Sequence, residues 1–190
     1  MTRAAPEDPV ALCRALVAEG RALHPAGDVP MVLATADAAG NPSARYVLLK
    51  EIDAGGGFVF YTNAHSRKGR ELAARPRAAL VLYWPALGQQ LRVEGAVEEV
   101  DPRVADAYWA TRPFGSRLGT LASDQSAPLE SRAALEERAA ALRHTLAGAG
   151  PPRPAHWTGF RLLPDAIELW KHRDDRLHER ALYRREAGAT

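Results

Sequence analysis

The chain has one cysteine, Cys13, among its 190 residues, so an intramolecular disulfide is impossible. Free thiols are typical of reducing compartments, and the sequence therefore predicts a cytoplasmic protein. No apolar run approaches the roughly 20 residues that a membrane-spanning helix needs, and the first residues lack the apolar stretch of a secretion signal. These absences predict a protein without a membrane partner.

An excess of charge is also missing, since 25 Lys and Arg face 23 Asp and Glu and leave a net charge of +2. Nucleic-acid-binding domains usually carry a strong basic excess, so no nucleic-acid partner is predicted. Hydrophobic residues make up 46% of the chain, an ordinary share for a globular protein. The length fits a single domain with a sizeable core.

Several catalytic motifs are absent. Gly55, Gly56 and Gly57 lie in a turn cluster and do not form the Gly-x-Gly-x-x-Gly loop of a dinucleotide-binding fold. No Gly-x-Ser-x-Gly elbow is present. The six histidines show no metal-ligand spacing, so no metal site is predicted (His24, His65, His144, His156, His172, His178).

Short apolar runs separated by turn residues predict strands at 31–36, 44–52, 58–62, 78–84, 90–100, 160–163, 166–170 and 177–183. Helices are predicted from the caps Asp8, Ser66 and Asp101, and from the spacing of Leu135, Ala139, Leu142 and Leu146. We predict a mainly antiparallel, Greek-key-like β-barrel with peripheral helices. Its single domain, 1–190, divides into an N-terminal helix (8–25), a barrel core (29–100), a helical insert (101–147), a Gly/Pro linker (148–154) and C-terminal strands (156–184).

Cations at the ends of apolar runs are candidate anion ligands. Arg67 and Lys68 follow Ser66 at a helix start, where free N–H groups attract anions, although a solvated helix start has the same pattern. Arg45 and Lys50 bracket one strand. Because five positions separate them, they face opposite sides of a regular strand and share a ligand only if a bulge intervenes or the ligand wraps the strand end.

Three further groups are candidates. Tyr108, Arg112 and Ser116 follow one another on a helix and past its proline break, a pattern suited to a phosphate clamp or to plain packing and helix capping. Arg176, His178 and Arg180 alternate, so they line one strand face near Trp170, either as a solvent face or as the wall of an anionic site. Gln90 and the pair Gln125-Ser126 could contact the polar edge of a heterocycle.

In this order, the segments resemble the pyridoxine/pyridoxamine 5′-phosphate oxidase family. They are Arg45-x-Val-Leu-Leu-Lys50, Gly57-Phe-Val-Phe-Tyr61-Thr62-Asn63, Ser66-Arg67-Lys68-Gly-x-Glu-Leu72, Gln90, Gly95, Tyr108-x-x-x-Arg112-Pro-x-x-Ser116, Gln125-Ser126, Pro154-x-x-Trp157-x-Gly-Phe-Arg161, and Glu168-x-Trp170 through Arg176-Leu-His178-x-Arg180.

The resemblance implies an FMN-binding split barrel that works as a homodimer with its sites at the subunit interface. It implies that pyridoxine or pyridoxamine 5′-phosphate is oxidised to pyridoxal 5′-phosphate, a vitamin B6 reaction, while O₂ is reduced to H₂O₂. The implied FMN ligands are Arg45, Lys50, Tyr61, Thr62, Arg67, Lys68, Gln90, Gln125, Ser126, Trp170 and Arg180. The implied substrate ligands are Lys50, Tyr108, Arg112, Ser116, Arg176 and His178, of which Arg176 and His178 are the catalytic candidates.

The sequence departs from the family pattern at three places. A basic, tyrosine-containing segment ahead of the first helix and a closing C-terminal strand are both missing, and Lys-His-Arg-Asp-Asp follows Trp170 in place of Gln-Gly-Gly. In addition, Tyr83-Trp84 and Gly88-Gln89-Gln90 resemble the flavin oxidases of phenazine biosynthesis. Two alternatives therefore stay open: an oxidase of a phenazine-type or other secondary metabolite, and a non-catalytic protein that binds flavin or pyridoxal phosphate.

Overall fold

The computed structural model describes residues 8–146 and 150–186. The segments before residue 8 and after residue 186, on which the expectations about the chain ends rest, lie outside this part. So do residues 148 and 149 of the predicted linker. Within the described residues, no helix combines the length and the apolar character needed to cross a bilayer.

One antiparallel sheet forms the centre of the protein, as predicted. Its strands are β1 (Pro30–Ala36), β2 (Pro42–Leu48), β3 (Glu51–Ile52), β4 (Phe58–Asn63), β5 (Arg77–Trp84), β6 (Gln89–Glu99), β7 (Trp157–Lys171) and β8 (Glu179–Arg184). The hydrogen-bonded order is β2-β1-β5-β6-β7-β4-β3, and β8 pairs with β7. The inward-facing side chains of these strands form the core, which includes Leu33, Phe58, Phe60, Leu80, Leu91 and Leu162.

The predicted strand 44–52 is wrong, because the chain changes neighbours inside it. β2 pairs with β1, whereas β3 pairs with β4 at the other end of the strand order. The backbone N–H of Leu49 donates to Val29 and that of Lys50 donates to Val59, at 2.9 Å each. The two outermost strands of the sheet are therefore consecutive in sequence, and the chain closes the split barrel at Leu49-Lys50.

The two strands predicted at 160–163 and 166–170 form one continuous strand, β7. Pro164, which lies between the two predicted strands, cannot donate to the ladder. In the structure the register between β6 and β7 shifts at Glu94/Gly95, directly opposite Pro164. This β-bulge accommodates the missing donor. A Cβ on Gly95 would lie 1.8 Å from the Leu163 carbonyl oxygen, so only glycine fits there.

Five α-helices of the described residues lie around the sheet: α1 (Pro9–Ala22), α2 (Arg67–Ala74), α3 (Pro102–Thr111), α4 (Phe114–Ala122) and α5 (Arg132–Thr145). The predicted caps are confirmed, since the side chains of Asp8, Ser66 and Asp101 each accept a hydrogen bond from the first turn. Helix α4 begins immediately after Pro113 without a side-chain cap, and it was not predicted from the sequence. Helix α5 packs against α4 and buries none of its residues fully.

Candidate functional site

A cleft of about 1100 Å³ opens between β2, β4, the start of α2 and the helices α3 and α4. It contains most of the residues proposed from sequence: Arg45, Lys50, Tyr61, Thr62, Arg67, Lys68, Tyr108, Arg112, Ser116, Gln125 and Ser126. Five of these are cations, and Asp28 is the one carboxylate among the described residues that line the cleft. The cleft is therefore built to receive an anion.

The strand change at Leu49-Lys50 explains how Arg45 and Lys50 reach one cleft. Arg45 lies within β2, but Lys50 lies beyond its end, where alternation along the strand no longer applies. Arg45 and Lys50 would face opposite sides only if one regular strand contained both. Because β2 ends before Lys50, that expectation does not apply.

Glu71, a residue of α2 that the sequence analysis did not propose, organises the cationic corner of the cleft. Its carboxylate is buried and accepts hydrogen bonds from Ser43 at 2.6 Å and from Arg67 Nε at 2.8 Å. Arg45 lies 3.3 Å from the same carboxylate and also donates to Thr35 Oγ1 at 2.6 Å. Burial opposes its ionisation, but these hydrogen bonds outweigh the burial and lower the pKa of Glu71 to about 2.

Lys68 lies beside this corner and is buried itself. Its ammonium donates to Ser66 Oγ and to Gln125 Oε1, both at 3.1 Å. Thr62 Oγ1 also donates to Gln125, at 3.3 Å, which ties the loop after α4 to β4. Burial, with the nearby charge of Arg45, lowers the pKa of Lys68 to about 8.

Stacked aromatic rings form a wall of the same cleft. The rings of Tyr61 and Tyr108 are 4.0 Å apart and that of Trp157 is 5.3 Å from Tyr61, all nearly parallel. Gly159 makes this possible, because a Cβ there would lie 2.7 Å from the Tyr61 ring. Burial raises the pKa of Tyr61 to about 12, so its hydroxyl stays protonated at neutral pH. Trp157 appeared in the sequence only as part of a motif, and its place in this wall was missed.

Arg112 is held against the aromatic wall. Its guanidinium lies 4.7 Å from the Trp157 ring centroid and 5.0 Å from that of Trp109, and it donates to Thr120 Oγ1 at 3.1 Å. Burial lowers the pKa of Arg112, which nevertheless remains a cation because free arginine titrates far above neutrality. The planar group is thus oriented before any ligand arrives.

The remaining proposed residues form a second cluster outside the cleft: Gln90, Trp170, Arg176, His178 and Arg180. The ladder places Gln90 opposite Trp170 and Trp170 opposite Arg180. Arg180 donates to the buried carboxylate of Glu168 at 2.9 Å. The Trp170 and His178 ring centroids are 4.7 Å apart.

The expectation that Arg176, His178 and Arg180 share one strand face is wrong. β8 begins at Glu179, so Arg176 and His178 lie in the turn before it. His178 Nδ1 accepts a hydrogen bond from the Arg173 N–H at 3.1 Å. Arg176 has a φ of 65° and Ser126 a φ of 74°, and they are the two non-glycine residues of the described chain in the left-handed region. Both were proposed as site residues from sequence.

No group of three or more His, Cys, Asp or Glu side chains among the described residues could hold a metal ion. The cationic, hydroxyl and aromatic groups of the cleft suit a phosphorylated, flat, aromatic ligand instead.

Two family descriptions cover nearly all of the described chain. Residues 23–146 match "Pyridoxamine 5′-phosphate oxidase", and residues 157–190 match "Pyridoxine 5′-phosphate oxidase C-terminal dimerisation region". The chain is similar to proteins named pyridoxine/pyridoxamine 5′-phosphate oxidase. That of Paraburkholderia phymatum is 55% identical over 159 residues, covering 84% of this chain and 74% of the relative. That of Sphingopyxis alaskensis is 50% identical over 187 residues, covering 98% and 86%.

Among solved structures, the chain resembles PhzG from Burkholderia lata 383, determined in complex with tetrahydrophenazine-1-carboxylic acid. The TM-score is 0.88 and the identity 34%, over 97% of this chain and 90% of PhzG. A pyridoxamine 5′-phosphate oxidase-related, FMN-binding protein from Nostoc punctiforme shares the fold at a TM-score of 0.64 and 17% identity, over 97% and 100% of the chains. The family matches, the identities and the cleft together show that this chain belongs to the pyridoxine/pyridoxamine 5′-phosphate oxidase family.

Proposed function

We propose that the protein is an FMN-dependent oxidase that converts pyridoxine 5′-phosphate or pyridoxamine 5′-phosphate to pyridoxal 5′-phosphate while O₂ is reduced to H₂O₂. The observation that carries this proposal is the cleft, which is lined by a stack of aromatic rings and by five cations. Such a site suits a phosphorylated aromatic ring, and relatives at 50 to 55% identity carry the corresponding names.

The residues of the cleft fit FMN. Arg67 and Lys68 begin α2, where free backbone N–H groups and two cations favour a phosphate. Thr62, Gln125 and Ser126 supply polar groups for the cofactor beside them, and Arg45 is fixed nearby by Glu71. When bound, FMN supplies the redox chemistry, accepting a hydride equivalent from the substrate carbon and passing the electrons to O₂.

The substrate phosphate would be held by Lys50, Tyr108, Arg112 and Ser116. The Lys50 ammonium lies 5.9 Å from the Tyr108 ring centroid, and Arg112 is oriented by two tryptophans. These groups bind and orient the substrate, which reduces the entropy lost in reaching the reactive geometry.

The second cluster would complete the site from the partner subunit of a homodimer. Gln90, Trp170 and Arg180 would contact the cofactor, and Arg176 and His178 would lie over the substrate. Because His178 Nδ1 accepts the Arg173 N–H, the neutral imidazole holds its proton at Nε2. That atom can donate a hydrogen bond to the substrate. The match of residues 157–190 to a dimerisation region supports this arrangement, and the lone cysteine supports a cytoplasmic enzyme.

The test is the absorbance spectrum of the FMN-loaded protein before and after anaerobic addition of pyridoxine 5′-phosphate. We expect the flavin band to bleach as one pyridoxal 5′-phosphate forms per flavin, and on aeration we expect H₂O₂ to form in an amount equal to all the pyridoxal 5′-phosphate produced. A flavin that stays oxidised with both pyridoxine and pyridoxamine phosphate would refute the proposed function.

A second candidate is oxidation of a phenazine-type metabolite. The observation in its favour is the similarity to PhzG at a TM-score of 0.88. Tetrahydrophenazine-1-carboxylic acid, tested in the same anaerobic experiment, distinguishes the two candidate functions. The enzyme's own substrate should bleach the flavin much faster than the other compound does. Bleaching by neither compound would favour a non-catalytic binding protein.

A further inference from the structure

An acidic side chain lies beside a cation of the proposed phosphate clamp. Asp28 Oδ1 is 3.6 Å from Lys50 Nζ, and Asp28 is the one carboxylate among the described residues lining the cleft. A carboxylate already paired with a cation of the clamp competes with a phosphate ligand for that cation. Asp28 was not among the residues proposed from sequence, and it has no role in the proposed function.

The backbone around this ion pair holds the two residues together. The Arg21 guanidinium donates to the carbonyl of Gly27 at 3.1 Å and to that of Lys50 at 3.0 Å. The Leu49 N–H donates to the Val29 carbonyl at 2.9 Å. The segment before β1 and the segment after β2 are thus joined on both sides of the pair, so Asp28 and Lys50 stay neighbours whichever way their side chains turn.

The side chains themselves can separate. Asp28 is 40% exposed and Lys50 27% exposed, so water can solvate either partner when the pair opens. Exposed ion pairs contribute little free energy, and the flexible lysine stem allows the ammonium to swing toward another anion. An incoming phosphate can therefore replace the carboxylate as the partner of Lys50.

We propose that Asp28 is an internal counterion of Lys50, which a phosphorylated ligand must displace. Asp28 competes with the phosphate group for Lys50 and so weakens binding of the phosphate. It also speeds release of the product, which carries the same phosphate as the substrate. Asp28 is thus a positioning residue that acts through Lys50. The inference rests on the proposed function only in assigning Lys50 to the ligand phosphate.

The test compares Asp28→Asn with the wild-type holoenzyme, using inorganic phosphate as the probe in calorimetric titrations. Loss of the competitor should lower the Kd for phosphate roughly two- to five-fold, the range expected for an exposed ion pair. The KM for pyridoxine 5′-phosphate should fall by a similar factor, without a rise in kcat. The affinity for unphosphorylated pyridoxine should not change.

Two further variants isolate the mechanism. Asp165→Asn removes the same charge and breaks a surface ion pair with Arg77, 2.6 Å long and away from the cleft, so its phosphate affinity should match wild type. In a Lys50→Met background, Asp28→Asn should tighten phosphate binding much less than it does in wild type, because the cation for which Asp28 competes is then absent. Thermal unfolding of each variant shows that it is folded.

Unchanged or weaker phosphate binding by Asp28→Asn would overturn the proposal. Equal tightening in the Lys50→Met background would also overturn it, because that result indicates a diffuse charge effect. If the holoenzyme oxidises neither pyridoxine 5′-phosphate nor pyridoxamine 5′-phosphate, the proposed function is refuted, yet the phosphate titrations still decide the role of Asp28.

Discussion

At the scale of single residues, Glu71 has the widest influence on the site. It is buried, it contacts Arg45 and Arg67, and its charge holds the cationic corner together. The sequence contained one signal for it, the four-residue spacing from Arg67 along α2. That spacing is common on helix surfaces, whereas the contact with Arg45 comes from β2 and is visible only in the structure.

Glu71→Gln should destabilise the protein at neutral pH by roughly 1.5–3 kcal/mol, the range for hydrogen bonds to a charged group. The pKa of Glu71 is lowered from 4.5 to about 2, so its stabilising effect is fully present above pH 4.5. This effect is lost as the pH falls through 4.5 toward about 2. Urea unfolding between pH 7 and pH 3 measures it, and the stability difference between variant and wild type should shrink as the pH falls below 4.5. Glu136→Gln, in an exposed pair with Arg132, is the control and should change stability by less than about 1 kcal/mol.

Lys68 should make FMN binding depend on pH. Because its pKa is about 8 in the free protein, the ammonium loses its proton as the pH rises through that value. A bound phosphate favours the charged form, so affinity should fall above pH 8 by up to about tenfold per pH unit. The phosphate itself is dianionic throughout this range. Flavin fluorescence titrations from pH 7 to 9.5 measure the slope. Lys68→Met should bind more weakly and give a flat profile, and a steep profile in that variant would assign the slope to another group.

At the scale of elements, the sequence predicted most strands and caps, because alternation, turn residues and Asp-Pro pairs are local signals. It failed where the outcome depends on distant segments. The break at Leu49-Lys50 depends on which strand accepts each N–H, and the continuity of β7 through Pro164 depends on the bulge in β6. Likewise, the cleft half of the proposed site is assembled in this chain, whereas the residues around Trp170 lie apart from it.

The start of α2 depends on a close contact that only glycine allows. A Cβ on Gly69 would lie 2.1 Å from the Ala64 carbonyl oxygen, a rigid backbone atom. Gly69→Ala should therefore shift the first turn of α2 and weaken FMN binding at least tenfold in fluorescence titrations. Gly115→Ala, at a helical position with nothing within 4 Å, is the matched control. It should bind FMN normally and unfold at the same or a slightly higher temperature. Equal FMN affinity in the two variants would contradict this account of the helix start.

At the scale of the whole molecule, the proposed site residues form two groups on one chain, which suggests that two chains share each site. Lys50→Met would disable the group of site residues that lines the cleft. His178→Asn would disable the group near Trp170. If the site is composite, mixed dimers of the two variants contain one intact site. Unfolding and refolding the variants together should then restore up to roughly one quarter of the wild-type activity, as random pairing predicts. Each variant refolded alone is the control. Absence of recovery, with dimers present by light scattering, would show that each chain forms its own site.

The backbone of Ser126 and Arg176 has a consequence for engineering. A left-handed conformation costs a non-glycine residue free energy, which the surrounding structure must offset. Glycine at either position would relieve this cost and raise the melting temperature. The same change would remove a hydroxyl or a guanidinium from the positions proposed to hold cofactor and substrate. A search for heat-tolerant variants would therefore favour the substitutions that harm turnover, so such a screen should select for activity at the same time.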